Sequence, residues 1–205
     1  MKKFIINKCM NAIKNNKNYS NDDLEIIEYG LVGIYLTISK LIIIFILAII
    51  LGIMKEVLIL LLIYNILRAT AFGLHATKSW ICLISSILVF IDIPLVCINL
   101  SINIYIKIIL DILCIIYIYK FAPADTYKRP IVSIKRRNAY KYISTFIAII
   151  YSLLSIFIKS NYLSNCFIFS MIIECFLISP LIYKLFNLPY NNYLNFLKEH
   201  PEYNY

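Results

Sequence analysis

Long apolar runs limit what this chain can fold into more than any other feature of its sequence. The run over residues 30–54 contains a single charged residue, Lys40. It exceeds the length of about 20 residues that a helix needs to cross the hydrocarbon core of a bilayer. Because 61% of all residues are apolar and only 15% are charged, a soluble domain is excluded. Open sheets cannot span lipid, so the sequence predicts an all-α, polytopic membrane protein.

Further apolar segments predict a single membrane domain, residues 1–205, with about six transmembrane helices. Residues 1–20 precede them and combine lysines with apolar residues at helical spacing, which predicts an amphipathic interfacial helix. Residues 122–139 are expected to form a basic cytosolic loop, and residues 187–205 a cytosolic tail. The candidate spans are residues 30–54, 57–73, 80–100, 102–121, 140–158 and 166–186.

The second candidate span is short. Its purely apolar run, residues 57–67, rises only about 16 Å as a helix, so it needs the residues up to Gly73 to cross. The stretch before His75 is either the cytosolic end of a short span or a re-entrant segment packed inside protein. The sequence leaves both alternatives open.

The distribution of Lys and Arg predicts the orientation in the membrane. With the N-terminus inside, most of the twenty basic residues fall on the cytosolic side, and only Lys55 and Lys159 fall outside. The positive-inside rule then predicts both termini in the cytosol. Ionisable residues inside spans need partners or water, and we expect interhelical pairing or a polar cavity for them. They are Lys40, Asp92, Lys107, Asp111 and Glu174. Pro94 and Pro180 also fall inside spans and are expected to kink them.

A potential base, His75, and a potential nucleophile, Cys82, lie seven residues apart. In a continuous helix they would stand about 10 Å apart along the axis, so the chain must bend between them to bring them together. Gly73 permits a break, and Ser79 is expected to cap the next helix, which places Cys82 in its first turn. There the helix dipole, Arg68 and other nearby positive charges would favour a reactive thiolate.

The spacing of these two residues also fits a different interpretation, in which Cys82 packs as a small apolar residue and His75 lies at the interface. Few residues could serve as ligands of a metal ion, because the only other histidine is His200 and no C-x-x-C pair occurs. We expect no cofactor and no nucleic-acid partner.

The segment 68–82, with Gly73, His75 and Cys82 in place, resembles the active-site segment of the accessory gene regulator B (AgrB) peptidases. The segment 121–131, which reads FAPADTYKRPI, resembles the proline-bearing cytosolic loop of that family. The order of features agrees as well, from the basic amphipathic start to the final span. The resemblance covers nearly the whole chain.

The resemblance implies a membrane-embedded cysteine endopeptidase of the bacterial cell membrane that cuts the precursor of a quorum-sensing peptide. Cys82 matches the nucleophile and His75 the general base. The implied acyl-enzyme thioester is then attacked by a Cys or Ser of the precursor, which closes a thiolactone or lactone ring. The residues expected to support the pair are Arg68, Gly73, Lys78 and Ser79.

The implied partners are an AgrD-like precursor peptide, membrane lipid and a second copy of the chain in a homodimer. The basic loop is expected to anchor on anionic lipid and is a candidate for holding an acidic precursor tail. Asp125 lies on the same membrane face and is a candidate third group for orienting His75. Two other functions stay open: a substrate-binding subunit of a small-molecule importer, and an inactive peptide-binding scaffold. The candidate substrate-binding residues are Lys128, Arg129, Lys135, Arg136 and Arg137.

Overall fold

The computed structural model of the protein describes residues 2–16, 19–74, 79–126 and 130–200. Within these ranges every regular element is a helix, apart from an isolated bridge between Phe72 and Ala124. The prediction of an all-α fold is confirmed. The helices are α1 (Lys2–Asn16), α2 (Asn21–Ile50), α3 (Met54–Ala71), α4 (Ser79–Asn99), α5 (Ile104–Phe121), α6 (Ile134–Phe157), α7 (Asn161–Leu177), α8 (Pro180–Leu185) and α9 (Asn192–Glu199).

Three of the described helices are long and apolar enough to cross a membrane. They are α4, α6 and the part of α2 over Asp23–Ile50, which alone has 28 residues. Helices α3 and α5 have 18 residues each but carry several charges, and α7 has 17 residues. The protein is therefore a helical membrane protein, while the number of about six spans stays a prediction.

Several helix boundaries differ from the ranges read from hydropathy, and turn and cap residues explain two of them. Helix α2 ends at Ile50, and Gly52 in the turn that follows has a φ of +70°. Helix α6 begins at Ile134, where the Ser133 side chain caps it. The last residues of the predicted basic loop, 122–139, are therefore helical.

The two prolines expected to kink spans act differently. Pro94 lies within α4, and a π-helical turn over Leu88–Asp92 precedes it. This wider turn accommodates a residue that lacks a backbone N–H. Pro180 instead begins the separate helix α8, after α7 has ended at Leu177. The segment 166–186 is thus divided between two helices, because proline has no N–H with which to continue α7.

Met1–Gly52 form one compact unit, in which α1 packs on α2. On α1, Ile6 and Met10 lie one helical turn apart and are both buried. At the start of α2, the Ser20 hydroxyl accepts a hydrogen bond from the N–H of Asp23 at 3.2 Å. The Asp23 carboxylate accepts one from the N–H of Ser20 at 3.3 Å, which completes a capping box.

The second compact unit begins at Ile53, and α7 is its central helix. Helix α7 contacts α3, α5, α6 and the C-terminal part of α4. The apolar core between these helices includes Leu67, Ile118 and Met171, none of which has measurable exposure. This unit contains both segments from which the sequence predicts a site.

Buried ionisable side chains of this unit pair across helices. Lys107 on α5 donates a hydrogen bond to the Ser164 hydroxyl on α7 at 2.5 Å. Asp111, also on α5, accepts one from Ser155 on α6 at 2.5 Å. Such bonds offset part of the cost of placing polar groups away from water. The expectation of interhelical pairing is confirmed for Lys107 and Asp111.

Candidate functional site

The turn that follows α3 is the centre of the candidate site. Phe72 has a φ of +61° and Gly73 a φ of +96°, so the chain leaves the helix axis at this point. The N–H of Gly73 donates to the carbonyl oxygen of Ala124 at 2.7 Å. The N–H of Leu74 donates to the carbonyl oxygen of Leu177 at 2.9 Å. The turn is thereby attached to the segment after α5 and to the end of α7.

Gly73 cannot be replaced without strain. A Cβ atom there would lie 2.6 Å from Nη1 of Arg68 and 2.8 Å from the carbonyl oxygen of Leu177. We expect Gly73→Ala to lower the free energy of unfolding by about 1–3 kcal/mol, measured by unfolding in detergent micelles. Gly33→Ala is the matched control, since a Cβ on this helical glycine meets open space. A Gly73→Ala variant as stable as the control would contradict the described turn.

Arg68 holds the carbonyl groups of this turn. The half-buried guanidinium donates to the carbonyl oxygen of Phe72, to that of Gly73 at 3.2 Å and to that of Leu74 at 2.5 Å. Carbonyl groups at a helix end lack intrahelical donors and carry partial negative charge, which a cation stabilises. Arg68 therefore caps α3 and holds the backbone as far as Leu74, the residue before His75.

Glu174 on α7 is the ionic partner of Arg68. Its Oε1 lies 3.3 Å from Nη1 of Arg68, and the glutamate side chain is fully buried. Arg68 is the only cation paired with Glu174 in the part of the chain that the structure describes. Hydropathy marks Glu174 as an acid inside a span, but it cannot identify a partner 106 residues away. This pairing is the part of the site that sequence reasoning missed.

Cys82 lies in the first turn of α4, which begins at Ser79. The cysteine is half-buried, and its carbonyl oxygen accepts a hydrogen bond from the Ser86 hydroxyl at 2.7 Å. Ser79, which the sequence predicts as the N-cap, is instead itself helical and is the first described residue of α4. The first turn of a helix presents backbone N–H groups and a positive dipole end to a thiolate.

Tyr64 on α3 contacts α4, the helix that carries Cys82. Its ring packs edge-on against Phe90 of α4, with 5.6 Å between the ring centroids. Helix α4, which carries Cys82, therefore packs against α3, which carries Arg68.

Part of the predicted site lies outside the described residues. The general-base candidate is among these, so its geometry relative to Cys82 stays a prediction. Of the predicted substrate-binding residues that the structure describes, Lys135 and Arg136 are exposed in the first turn of α6. The predicted site residues outside the described ranges are His75, Lys78, Lys128 and Arg129.

Asp125 is a structural centre of the segment after α5. Its buried carboxylate accepts hydrogen bonds from the N–H groups of Ile131 at 3.3 Å, Asn192 at 3.1 Å and Tyr193 at 2.9 Å. The same carboxylate lies 3.4 Å from Nη1 of Arg137. These contacts occupy the acceptor positions of the carboxylate, so Asp125 holds the segment after α5, helix α6 and helix α9 together. These contacts support a structural role for Asp125, and none of them supports a catalytic one.

Arg137 differs from the two exposed basic residues before it. Besides the ion pair with Asp125, it donates to the carbonyl oxygen of Pro123 at 3.3 Å. Its guanidinium also lies 3.6 Å from the centre of the Tyr193 ring, a cation–π contact. The side chain is thus engaged in intramolecular contacts on several sides.

The segment between α8 and α9 packs against the same loop. The buried Tyr183 donates its hydroxyl to the carbonyl oxygen of Asp125 at 3.1 Å. Its ring packs edge-on against that of Tyr190, with 5.1 Å between centroids. Burial raises the pKa of Tyr190 to about 12, so its hydroxyl stays protonated at neutral pH and donates to the carbonyl oxygen of Phe121 at 3.4 Å.

The remaining cysteines of the second unit have core environments. Cys97, Cys114 and Cys166 are buried, and Cys175 is half-buried like Cys82. The Sγ of Cys175 lies 3.7 Å from the carbonyl oxygen of Cys114, between α7 and α5. Among the described residues, no three His, Cys, Asp or Glu side chains are grouped so that they could hold a metal ion.

Comparison with known proteins places most of the chain in one group. The family profile for Accessory gene regulator B matches residues 6–178. An AgrB-like protein of Clostridium acetobutylicum is 30% identical over 187 residues, which cover 90% of each chain. An AgrB-like protein of Listeria monocytogenes is 28% identical over 82% of each chain. The accessory gene regulator protein B of Staphylococcus aureus is 34% identical over 147 residues, 71% of this chain and 76% of its own. No solved structure matches the chain.

Proposed function

Because the chain belongs to the accessory gene regulator B family, we propose that it is a membrane-embedded cysteine endopeptidase that matures a quorum-sensing peptide. Membership of this family supports a role in the accessory gene regulator system of quorum sensing. The finer proposal is that the protein removes the C-terminal tail of a small AgrD-like precursor. Cys82 is the nucleophile, and His75 is the general base.

The observation that carries the proposal is the position of Cys82, a half-buried thiol in the first turn of an apolar helix. A thiolate at a helix N-terminus is stabilised by the helix dipole and is the reactive form of cysteine. The backbone N–H groups of the same turn are placed to stabilise an oxyanion nearby. Arg68 holds the backbone as far as Leu74, the residue before His75.

The reaction has two acyl-transfer steps. His75 takes the proton of the Cys82 thiol, and the sulfur attacks the carbonyl carbon of the scissile peptide bond. The tetrahedral intermediate collapses as the C–N bond breaks, and the proton passes from His75 to the leaving amine of the tail. A precursor thiol or hydroxyl then attacks the thioester. This step forms a thiolactone or lactone ring and returns the Cys82 thiol.

The energetics of these steps differ. Exchange of the acyl group from one thiol to another is nearly neutral, whereas formation of the thioester from a peptide bond is uphill. Removal of the cleaved tail or of the product is proposed to draw the reaction forward. The sequence contains no P-loop that would couple it to a nucleotide.

The precursor tail is proposed to bind the basic cytosolic segment. Lys135 and Arg136 are exposed in the first turn of α6, where they are accessible to an acidic peptide or to anionic lipid. Lys128 and Arg129 are proposed to extend the same surface. The proposed arrangement is a multi-pass protein of the bacterial cell membrane, with both termini in the cytosol, acting as a homodimer.

The two histidines offer a matched test of the proposal. Purified protein in liposomes is given a candidate precursor encoded beside its gene, and cleavage is followed by mass spectrometry. We expect His75→Ala to lower the cleavage rate by about 10²–10⁴-fold, the usual contribution of a general base. His200→Ala is the control, because His200 packs against Phe196 in the C-terminal region with 4.6 Å between ring centroids.

The outcomes separate the candidate functions. Cleavage by the wild type and by His200→Ala, with loss in His75→Ala, supports the peptidase. Precursor binding without cleavage by any of the three proteins would favour the scaffold instead. Equal cleavage by all three would show that His75 is not the base.

A further inference from the structure

We propose that Glu174 is a positioning residue of this peptidase, acting through Arg68 on the turn that leads into His75. The inference rests on the proposed function and names a group outside the 68–82 segment that the reaction needs.

Glu174 is an acid in the interior of the second unit. Its side chain is fully buried, and Oε2 has no hydrogen-bond donor among the described residues. Burying a carboxylate with one unsatisfied oxygen costs free energy, and the ion pair with Arg68 offsets part of that cost. An amide at this position would leave the Arg68 guanidinium without its counter-charge and would hold it less firmly.

Arg68 divides its donors between Glu174 and the turn after α3. Nη1 of Arg68 donates both to Glu174 and to the carbonyl oxygen of Phe72, while Nη2 donates to the carbonyl oxygens of Gly73 and Leu74. A guanidinium is a rigid planar fork, so a partner that holds one nitrogen orients the other. A charged acceptor makes that bond stronger and shorter than a neutral one. Glu174 thus fixes the orientation of the guanidinium plane from which Arg68 donates to the turn.

The turn after α3 is attached to α7 at two points. The N–H of Leu74 donates to the carbonyl oxygen of Leu177, and its carbonyl oxygen accepts from Arg68, which Glu174 holds. Both anchors come from the last turn of the same helix. Loss of the Glu174 anchor leaves the Leu177 anchor in place, so the turn persists but the peptide before His75 is held less tightly. A misplacement of about 1 Å at a catalytic group can cost about 100-fold in rate.

The ion pair with Arg68 is the contact through which Glu174 can act. Glu174 does not touch the substrate in this proposal. Its effect passes through Arg68, and it should therefore appear in kcat and not in substrate binding.

The test compares Glu174→Gln with Asp111→Asn in liposomes, with kcat, KM and the midpoint of thermal unfolding measured for each. Asp111 is the matched control, since it is a fully buried acid on α5 whose Oδ1 also has no hydrogen-bond donor among the described residues. We expect Glu174→Gln to lower kcat by about 10–100-fold with KM changed less than about twofold. We expect Asp111→Asn to keep the wild-type kcat. If Glu174→Gln does not fold, Glu174→Asp is measured with the same expectation.

A double variant shows whether the effect passes through Arg68. We expect Arg68→Lys to lower kcat as well, and Arg68→Lys combined with Glu174→Gln to be no slower than the slower single variant. Losses that multiply in the double variant would overturn the proposal. An unchanged kcat in Glu174→Gln, or an equal fall of kcat in Asp111→Asn, would do the same.

Failure of this inference is distinguishable from failure of the proposed function. If the wild type cleaves the precursor, Cys82→Ala does not, and Glu174→Gln cleaves normally, only the role of Glu174 is lost. If the wild type binds the precursor but neither the wild type nor Cys82→Ala cleaves the precursor, both the peptidase function and the positioning role are wrong.

Discussion

Replacing Cys82 with alanine is expected to lower precursor cleavage by about 10⁴-fold or more. Without the sulfur no thioester can form, and what remains is the stabilisation offered by binding and by backbone N–H groups. The half-buried thiol lies in the first turn of α4, and the variant removes one atom there without a change of backbone. The rate is measured in liposomes as the appearance of the released tail.

Cys175→Ala is the control for this experiment. Cys175 is also half-buried, and its Sγ lies against the carbonyl oxygen of Cys114 between α7 and α5. We expect this variant to cleave at the wild-type rate. If both cysteine variants retain cleavage, the assignment of Cys82 as nucleophile is wrong. If both lose it, the loss in Cys82→Ala reports damage to the packing of the helices.

Asp125→Ala is expected to lower the free energy of unfolding by about 3–5 kcal/mol. Removal of one member of a buried ion pair leaves its partner without a counter-charge, and costs of this size are typical. Here the partner is Arg137, at 3.4 Å. The substitution also removes the acceptor for the N–H groups of Ile131, Asn192 and Tyr193. Chemical unfolding in detergent micelles measures the change.

Glu28→Ala serves as the control for Asp125→Ala. Glu28 is an exposed acid on α2, and its removal is expected to change stability by no more than about 0.5 kcal/mol. The structural role also predicts that Asp125→Asn recovers part of the loss, because an amide oxygen still accepts hydrogen bonds. An Asp125→Ala variant within about 1 kcal/mol of the wild type would contradict the role given to this carboxylate.

The sequence predicts the helical class and the position of Cys82 well, for physical reasons that act locally. Apolar runs of more than about 20 residues leave a helix as the only way to satisfy backbone groups in lipid. A break after Gly73 can be predicted because glycine adopts positive φ angles that other residues avoid. In the structure Gly73 has a φ of +96°. Once the chain breaks there, a helix that begins at Ser79 places Cys82 in its first turn.

Long-range pairing is what the sequence does not reveal. Arg68 and Glu174 meet across α3 and α7 although 106 residues separate them, and periodicity carries no information about such a partner. Asp125 illustrates the same limit. Its position on the same membrane face as His75 made it a candidate for orienting that histidine, but its contacts with α6 and α9 follow from tertiary packing.

Local exceptions to helical periodicity are also hidden from hydropathy. The π-helical turn over Leu88–Asp92 leaves the apolar character of α4 unchanged, so only the backbone shows it. The end of α7 at Leu177 is partly readable, since Pro180 cannot continue a helix. Hydropathy alone joins the two helices because both are apolar.

The peptidase function is tested most directly by measuring the mass of the protein after incubation with its precursor. Wild-type protein in liposomes is mixed with the precursor, quenched in acid and digested, and the peptide that contains Cys82 is weighed. We predict a thioester adduct on Cys82 with the mass of the precursor without its tail, absent in Cys82→Ala. Bound precursor with no adduct, and the same behaviour in wild type and variant, would contradict the peptidase.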